Sequence, residues 1–206
     1  MKPLTKRQKQ AINTKLKITE VAIDLYRTKD IETVSVQDIC NAAGISIGAF
    51  YHHFKSKDEI LNTSYQQVDL LLRERIEDQD FPNATVEILA FFKTSSLILN
   101  DLGWLFVSGV YRNLFNTPDK YTYLDERYVN QAIKAAITNG IASGEYKSDI
   151  NPNTLKDTIM RLGRGAIFDW CLREGQSDLE ACLTQDISLV LNAASTKSTD
   201  YPNQGL

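Results

Sequence analysis

The chain has 206 residues, of which 43% are hydrophobic and 24% are charged, and its net charge at pH 7 is −3. These values are typical of a globular protein with one or two domains and real hydrophobic cores. No run of about 18 apolar residues and no signal-peptide core occurs, so we expect a cytoplasmic protein without a membrane partner.

The charge is divided unevenly along the chain. Residues 1–60 hold 10 basic residues against 7 acidic ones, whereas the remaining 146 hold 13 against 19. The first 17 residues contain no acid and six bases: Lys2, Lys6, Arg7, Lys9, Lys15 and Lys17. Such a basic arm can lie along DNA phosphates or reach a minor groove. A solvated helix start would show the same pattern.

The first predicted helix has one apolar stripe. Its members recur at the spacing of a single helix face: Ile18, Val21, Ala22, Leu25 and Tyr26. The helix is expected to end near residues 30–33. A second, short helix should then open at Ser35, because Asp38 follows it at the spacing of a capping box. Val36, Ile39 and Ala42 would face inward, and Gly44 would end this helix in a left-handed conformation.

A third helix is predicted over residues 47–54, with Ser46 as its N-cap. Ser56 and Glu59 have the spacing of a second capping box, which would open a fourth helix. Two short helices joined by a turn that contains glycine form a helix-turn-helix, whose second helix enters the DNA major groove. The alternative is a small helical subdomain with an aromatic core.

Residues 47–54 therefore form the predicted recognition helix. Phe50 and Phe54 share a face and should pack inward. Tyr51 and Lys57 are expected to point outward and contact phosphates. The candidate DNA-contacting residues are Thr33, Ser35, Ser46, Ile47, Gly48, Ala49, Tyr51, His52, Lys55 and Lys57.

This stretch resembles the DNA-binding signature of TetR-type transcriptional regulators. The resemblance rests on residues 44–46 (GIS), 48–54 (GAFYHHF) and 56–57 (SK), and it covers about the first 60 residues. Ile47 replaces a residue that is more often polar or basic, and Ala49 replaces a more frequent Thr or Ser. The apolar side chains of Ile47 and Ala49 favour contact with thymine methyl groups and hence half-sites that contain A·T pairs.

The resemblance implies an all-α protein with a three-helix DNA-binding domain and a larger helical domain for effector binding and dimerisation. We place these domains at residues 1–60 and 61–195, followed by a disordered tail at residues 196–206. The implied function is a ligand-responsive repressor that binds a palindromic double-stranded DNA operator as a homodimer, with an unknown small-molecule effector. The alternative is a structural or cell-division DNA-binding protein of the same fold without an effector.

A long helix is predicted from Ser56, with Leu61, Ser64, Val68, Leu71, Leu72 and Ile76 on its inner face. Buried helices should follow over residues 84–116, with a break near Gly103 and a turn at residues 117–119. Val86 and Leu97 belong to the apolar residues expected inside. Another helix is predicted from about Leu124. Seven aromatic residues could line an effector pocket or simply form core: Phe91, Phe92, Trp104, Phe106, Tyr111, Tyr128 and Phe168.

The last two predicted helices carry more apolar residues than one face requires. Such a helix needs two partners, and the family resemblance implies a four-helix contact between two subunits. An additional buried face within one chain would give the same pattern. The candidate interface residues are Leu155, Ile159, Met160, Gly163, Ile167, Trp170, Leu183, Ile187, Val190 and Leu191.

The chain offers few residues for catalysis. His52 and His53 are its only histidines, and no G-x-S-x-G, H-E-x-x-H or Walker-type motif occurs, so we do not expect an enzyme. Paired carboxylates have no such signature and stay open. The three cysteines, Cys40, Cys171 and Cys182, are far apart and predict no disulfide, metal site or cofactor. They should act as small hydrophobes, with a thiol sensor as the alternative.

Overall fold

The computed structural model describes residues 5–116 and 124–197, apart from the side chains of residues 6–9, 62–65 and 115–116. The predicted turn at residues 117–119 and most of the predicted tail lie outside this part of the chain. The described residues form nine α-helices and one short 3₁₀ turn. In chain order these are α1 (Lys6–Thr28), the 3₁₀ turn (Ile31–Thr33), α2 (Val36–Ala43), α3 (Ile47–His53), α4 (Lys57–Ile76), α5 (Ala84–Leu102), α6 (Trp104–Asn116), α7 (Tyr128–Ala142), α8 (Pro152–Leu172) and α9 (Leu179–Ala194). The all-α prediction is confirmed.

The helices group into two compact units. Of the described chain, the first unit holds residues 5–67 and 101–116, and the second holds residues 68–100 and 124–197. Helices α4 and α5 each contribute residues to both units. Helix α6 packs against α1 within the first unit. The functional boundaries at residues 60 and 195 remain predictions.

The core of the first unit is built on α1. Ile18, Ala22 and Tyr26 are fully buried, as the predicted stripe requires. The Tyr26 ring stacks on Phe106 of α6, with 6.2 Å between ring centroids. The other helices add the buried side chains Ile39, Cys40, Phe50, Phe54, Ile60 and Leu61. Because this core draws on five helices, α6 is part of what holds α1 to α4 together.

Tyr26 carries a buried hydroxyl that has no hydrogen-bond partner among the described residues. Burial, and then the nearby carboxylates Asp58 and Glu32, raise the pKa of this tyrosine. An unsatisfied buried hydroxyl opposes folding, so Tyr26→Phe should raise the free energy of unfolding by about 1 kcal/mol. Urea unfolding of the two proteins at equal concentration measures this. A loss of stability would instead show that the hydroxyl binds a buried water.

The second unit is arranged around α8, which packs against both α7 and α9. Its core takes one apolar face from each helix: Ile88 and Phe91 from α5, Val129, Ile133 and Ile137 from α7, Ile159 and Trp170 from α8, and Leu183, Ile187 and Leu191 from α9. Asp178 caps α9 by accepting the Ala181 N–H at 3.0 Å. No helix of the described chain is long and apolar enough to cross a bilayer.

Four predicted core residues are exposed instead. They are Ala42, Leu71, Val86 and Leu97, and Leu97 keeps 52% of its surface. In each case a residue one or two positions further along the helix is buried and fills the inner face instead: Ala43, Leu72, Ile88 and Ile98. Helix α7 begins at Tyr128 rather than at Leu124, because Arg127 is its N-cap and has a non-helical ψ of 131°.

A buried ion pair explains why Asp69, and not Leu71, lies on the inner face of α4. Asp69 of α4 and Arg127 at the start of α7 have side chains that are only 4% and 8% exposed. Arg127 Nε donates to both Asp69 carboxylate oxygens at 2.9 and 3.0 Å, and Nη2 donates to Oδ1 at 2.8 Å. Asp69 therefore occupies the inner face together with Leu72 and Ile76, and Leu71 lies outside.

The cysteines are all free thiols. Cys40 and Cys171 are buried, and Cys182 is half-buried. Burial raises the pKa of the Cys171 thiol to about 11, and it also raises the pKa of Cys40. Since the thiolate is the reactive form, this supports the hydrophobic role over a thiol sensor at Cys40 and Cys171.

Candidate nucleic-acid interface

Helix α2 begins and ends where the sequence predicts. Ser35 Oγ accepts the Asp38 N–H at 3.1 Å. In return, Asp38 Oδ2 accepts the Ser35 hydroxyl at 2.6 Å and the Ser35 N–H at 2.9 Å, and these bonds lower the pKa of Asp38. Gly44 then ends the helix with φ of 67°, the left-handed region that glycine adopts without strain. The capping box and the glycine turn are confirmed.

Helix α3 packs through an aromatic inner face. Ser46 Oγ caps it by accepting the Ala49 N–H at 3.2 Å. Phe50 and Phe54 are 0% and 1% exposed, with 5.7 Å between their ring centroids. Lys15 of α1 places its ammonium 5.0 Å above the Phe54 ring. The inner face therefore attaches α3 firmly to the first unit.

The outer face of α3 is open to solvent. Ile47 and Tyr51 are 44% and 55% exposed. Gly48 and His52 are also exposed, whereas Ala49 is half-buried. This surface presents the apolar side chain of Ile47 and the hydrogen-bonding rings of Tyr51 and His52. Gly48 has no side chain, so a ligand can approach its backbone closely. The outward orientation is confirmed, and contact of these residues with DNA stays a prediction.

The start of α4 differs from the predicted capping box. Glu59 Oε2 accepts the backbone N–H of Lys55 at 2.7 Å, one residue earlier than expected for a box with Ser56. The Lys55 side chain is exposed, as are Thr33 and Ser35 on the neighbouring turn. Lys55 therefore remains a good candidate for a phosphate contact.

Lys57 does not point freely outward, contrary to our expectation. Its ammonium donates to the carbonyl oxygens of Ile31 at 2.8 Å and Val34 at 3.1 Å, and the side chain is half-buried. A lysine ammonium has three donors, so one is left for a phosphate. Lys57 thus holds the 3₁₀ turn against α4, a role that sequence spacing does not reveal.

The two lysines should respond differently to alanine substitution. Lys55→Ala is expected to leave stability unchanged and to lower the slope of log affinity against log salt by roughly 1 to 2 units per dimer. Lys57→Ala should also lower the free energy of unfolding by about 1–3 kcal/mol, because two buried carbonyls lose a charged donor. Urea unfolding and DNA titrations at several salt concentrations measure both. A Lys57→Ala protein as stable as the wild type would contradict the second expectation.

Two exposed residues of α2 are further candidates for DNA contact that the sequence pattern did not bring out. Gln37 and Asn41 are exposed, and Gln37 Nε2 donates to Asn41 Oδ1 at 2.7 Å. Carboxamides at this spacing share a helix face and can each hydrogen-bond a base edge or a phosphate. The sequence does place both polar residues four positions apart, on the helix face opposite Ile39, and this spacing could have identified them.

The helix-turn-helix is also the part of the chain that matches a known family. Residues 18–63 match the family model described as bacterial regulatory proteins, tetR family. Residues 18–63 therefore form a DNA-binding domain of the TetR family. The relatives that match along most of the chain are transcriptional regulators.

Two curated relatives match this chain over most of their length. The transcriptional repressor KstR2 of Rhodococcus jostii is 24% identical over 181 residues, which is 85% of this chain and 88% of the relative. The fatty acid metabolism regulator protein of Bacillus subtilis is 23% identical over 187 residues, or 88% and 96% of the two chains.

Two solved structures of regulators share the fold. Thermus thermophilus FadR, in complex with lauroyl-CoA, has a TM-score of 0.69 at 17% identity and covers 91% of this chain and 98% of its own. Bacillus subtilis FadR, in complex with stearoyl-CoA, has a TM-score of 0.60 at 17% identity and covers 85% and 97%. At these identities the likeness concerns the fold alone.

The predicted effector-binding aromatics are divided between the two units. Phe91, Phe92 and Tyr128 belong to the second unit, where the rings of Phe91 and Tyr128 lie 6.0 Å apart. Trp104, Phe106 and Tyr111 belong to α6 in the first unit, and Phe106 is core beneath Tyr26. Phe168 is 52% exposed, so it is not core in the single chain, and its contact with an effector stays a prediction.

Most predicted dimer residues are already buried within one chain. Eight of the ten belong to the core: Leu155, Ile159, Met160, Gly163, Trp170, Leu183, Ile187 and Leu191. Because a side chain covered by its own subunit has little surface left for a second copy, these eight residues are weaker candidates than exposed ones, and their place in an interface stays a prediction. An added Cβ at Gly163, for example, would lie 2.7 Å from Phe92 Cε1 of the same chain. Ile167 and Val190 are half-buried, and for them the prediction stands.

A different set of residues on α8 and α9 keeps apolar surface. Phe168, Leu172 and Leu189 are 52%, 66% and 51% exposed. Gly165 is exposed one turn before Phe168, and an added Cβ there would meet nothing within 4 Å. These four residues are called the α8–α9 apolar surface below. The true excess of apolar residues on these helices is therefore smaller than the sequence pattern indicated.

Proposed function

We propose that this TetR-family regulator is a ligand-responsive repressor that binds a two-fold symmetric operator as a homodimer. The observation that carries the proposal is the outer face of α3. It presents Ile47, Tyr51 and His52 to solvent, while Phe50 and Phe54 anchor the helix from behind. A short helix exposed in this way is suited to enter a major groove.

The residues of this face suggest how DNA is recognised. The exposed Ile47 side chain can contact thymine methyl groups, and it has no hydrogen-bonding group for guanine. Tyr51, Lys55 and the free donor of Lys57 would contact phosphates and position the helix. We therefore propose half-sites that contain A·T pairs. Ile47→Gln should change the preferred sequence and leave the salt slope as it is.

The α8–α9 apolar surface supports a homodimer. Exposed Phe168, Leu172 and Leu189 lie on two helices that pack against each other, so they can form one continuous patch. A two-fold axis through such a patch would pair α8 and α9 with those of a second copy. A dimer of this kind places two recognition helices on one operator.

Relatives suggest the class of effector. Two structural neighbours are described in complex with lauroyl-CoA and stearoyl-CoA, and the B. subtilis relative is a fatty acid metabolism regulator. In the second unit of this chain the ring of buried Phe91 lies 6.0 Å from that of half-buried Tyr128, and such an aromatic pair suits an apolar tail. We propose that long-chain acyl thioesters are the first effectors to test.

The proposed response is a population shift. Helix α4 begins at the recognition helix and contributes residues to both units, and in the second unit Asp69 ties it to the start of α7. An effector that prefers one position of α4 must lower operator affinity if DNA prefers another. The operator must then lower the affinity for the effector by the same factor by which the effector lowers the affinity for the operator.

Selection from random duplexes tests the proposal, followed by titration of the selected duplex at fixed salt. We expect a palindromic site containing A·T pairs, bound specifically by the wild type and not by a Tyr51→Ala/His52→Ala variant. Lauroyl-CoA should release the protein from this site, whereas coenzyme A without an acyl chain should not. In a reporter strain, the protein should lower transcription from a promoter that contains the site.

The outcomes separate the functional classes. Failure to enrich any duplex would refute the DNA-binding proposal. Enrichment of a palindrome without release by acyl thioesters of any chain length would argue against this effector class. Specific binding without any effect on transcription would favour a structural DNA-binding protein.

A further inference from the structure

Both histidines of the chain lie next to each other on the predicted recognition helix. His52 and His53 are the last two residues of α3, and the sequence contains no other histidine. Histidine is the side chain whose ordinary pKa lies between pH 5 and 8. Side-chain titration near neutral pH is therefore concentrated on one turn of α3. These two residues are called the histidine pair below.

The two rings of the pair are close together and differ in exposure. Their centroids lie 5.1 Å apart, with an interplanar angle of 76°. His52 is exposed, whereas His53 is half-buried. Within the described chain, neither ring forms a hydrogen bond or an ion pair, so no carboxylate there is paired with either one.

The charged groups that act on His53 are basic. Its own helix places His52 beside it, and α1 contributes Lys15, whose ammonium lies above the neighbouring Phe54 ring. Burial, followed by the charges of His52 and Lys15, lowers the pKa of His53. At neutral pH the His53 ring of the free protein is therefore mostly uncharged.

A DNA backbone at this face would reverse the electrostatic balance. Tyr51 and His52 are both exposed on the outer face of α3, the face proposed to meet DNA. Nearby phosphates favour the charged imidazolium, which has two N–H donors where the neutral ring has one. The complex then holds more protons than the free protein and the free DNA together.

We infer that operator binding takes up protons at the histidine pair, so that affinity falls as the pH rises from about 6 to about 8. The inference rests on the proposed DNA-binding function and deepens it. His52 contacts a phosphate, and His53 adds charge beside it. The sign follows from the proton count, because acid strengthens any association whose complex holds more protons than its free components. The regulator thus responds to pH independently of an effector.

Titration of the selected operator at pH 6, 7 and 8 and constant ionic strength tests this inference. A rise of one pKa unit in one ring of each subunit changes the affinity of a dimer by up to about 100-fold. We expect binding at least about tenfold tighter at pH 6 than at pH 8. The slope of log affinity against log salt should be steeper at pH 6 by roughly 1 to 2 units per dimer, with the same preferred half-site. Circular dichroism verifies folding at each pH.

Two double variants assign the effect to the histidine pair. His52→Gln/His53→Gln removes both titrating rings and should bind equally well at pH 6 and pH 8. His52→Lys/His53→Gln carries a permanent charge, and at pH 8 it should bind within about threefold of the wild-type affinity at pH 6. Amino termini titrate near pH 8 as well. A pH dependence that survives in His52→Gln/His53→Gln would therefore assign proton uptake to another group and overturn the inference.

Single variants cover the case in which His53→Gln disturbs folding. His52 is exposed, so His52→Gln should fold normally and reduce the ratio of the affinities at pH 6 and pH 8 at least about threefold. Ile47→Gln is the matched control on the same helix, because it changes the surface of α3 without removing a titrating group. On its own selected duplex it should keep the full pH dependence. Equal reductions in the two variants would overturn the inference.

Nuclear magnetic resonance gives a readout that needs no operator. Because the chain has two histidines, single His→Gln variants assign their ring C–H signals. A random duplex at low salt should raise the titration midpoint of at least one ring by about one pH unit. Unchanged midpoints would overturn the inference. Specific operator binding that is equally tight at pH 6 and pH 8 would also overturn it, while leaving the proposed DNA-binding function intact.

Discussion

Replacing Phe168 or Leu172 with aspartate is expected to give a monomer that binds the operator at least about 100-fold more weakly. Both side chains are more than half exposed in the single chain, so the charge costs the monomer little. In a dimer the same carboxylates would be buried face to face without partners. A monomer binds each half-site separately. It lacks the high effective concentration that the second subunit of a bound dimer has at the second half-site, an effect that contributes roughly 10²–10⁴ to affinity.

Sedimentation of both variants at micromolar concentration, with DNA titrations of the same samples, measures this effect. Leu97→Asp is the matched control, because Leu97 is 52% exposed on α5 and does not belong to the α8–α9 apolar surface. It should remain a dimer and bind normally. Monomers formed by Leu97→Asp but not by Leu172→Asp would place the subunit contact elsewhere.

Breaking the Asp69–Arg127 ion pair should cause the largest loss of stability among single charge substitutions. Asp69→Asn or Arg127→Met is expected to lower the free energy of unfolding by about 3–5 kcal/mol, because each leaves a buried charge without its counter-charge. The two side chains are 4% and 8% exposed, so water cannot replace the missing partner.

A double-mutant cycle isolates this pair. The Asp69→Asn/Arg127→Met protein should be more stable than the sum of the single losses predicts, by roughly 0.5–3 kcal/mol. Lys93→Met provides the comparison, because Lys93 and Glu180 form an exposed ion pair and its loss should cost less than about 1 kcal/mol. Urea unfolding should use one protein concentration throughout, since dimerisation adds to stability. Additive single losses would mean that the two charges are not coupled.

The caps of the helix-turn-helix could be predicted because their physics is local. The Ser35–Asp38 box, the Gly44 turn and the Ser46 cap each involve residues within four positions of one another. The inward turn of Phe50 and Phe54 follows from helical spacing alone. The family resemblance rests on these same short-range features.

The direction of Lys57 could not be predicted in this way. Its partners, Ile31 and Val34, lie more than 20 residues earlier, and a basic residue at a helix start looks the same whether it meets a carbonyl or a phosphate. Asp69 is a similar case. Among apolar neighbours a carboxylate is expected outside, and only its distant partner Arg127 makes the buried position favourable.

Helices α8 and α9 show the same limit for apolar residues. The sequence by itself determined that both are amphipathic helices with a surplus of apolar side chains. Only the tertiary structure decided that Ile159 and Ile187 are core while Leu172 and Leu189 remain exposed. Periodicity gives the angle of a residue around its own helix, but burial depends on which neighbouring helix covers that angle, and this is set by packing between residues far apart in the chain.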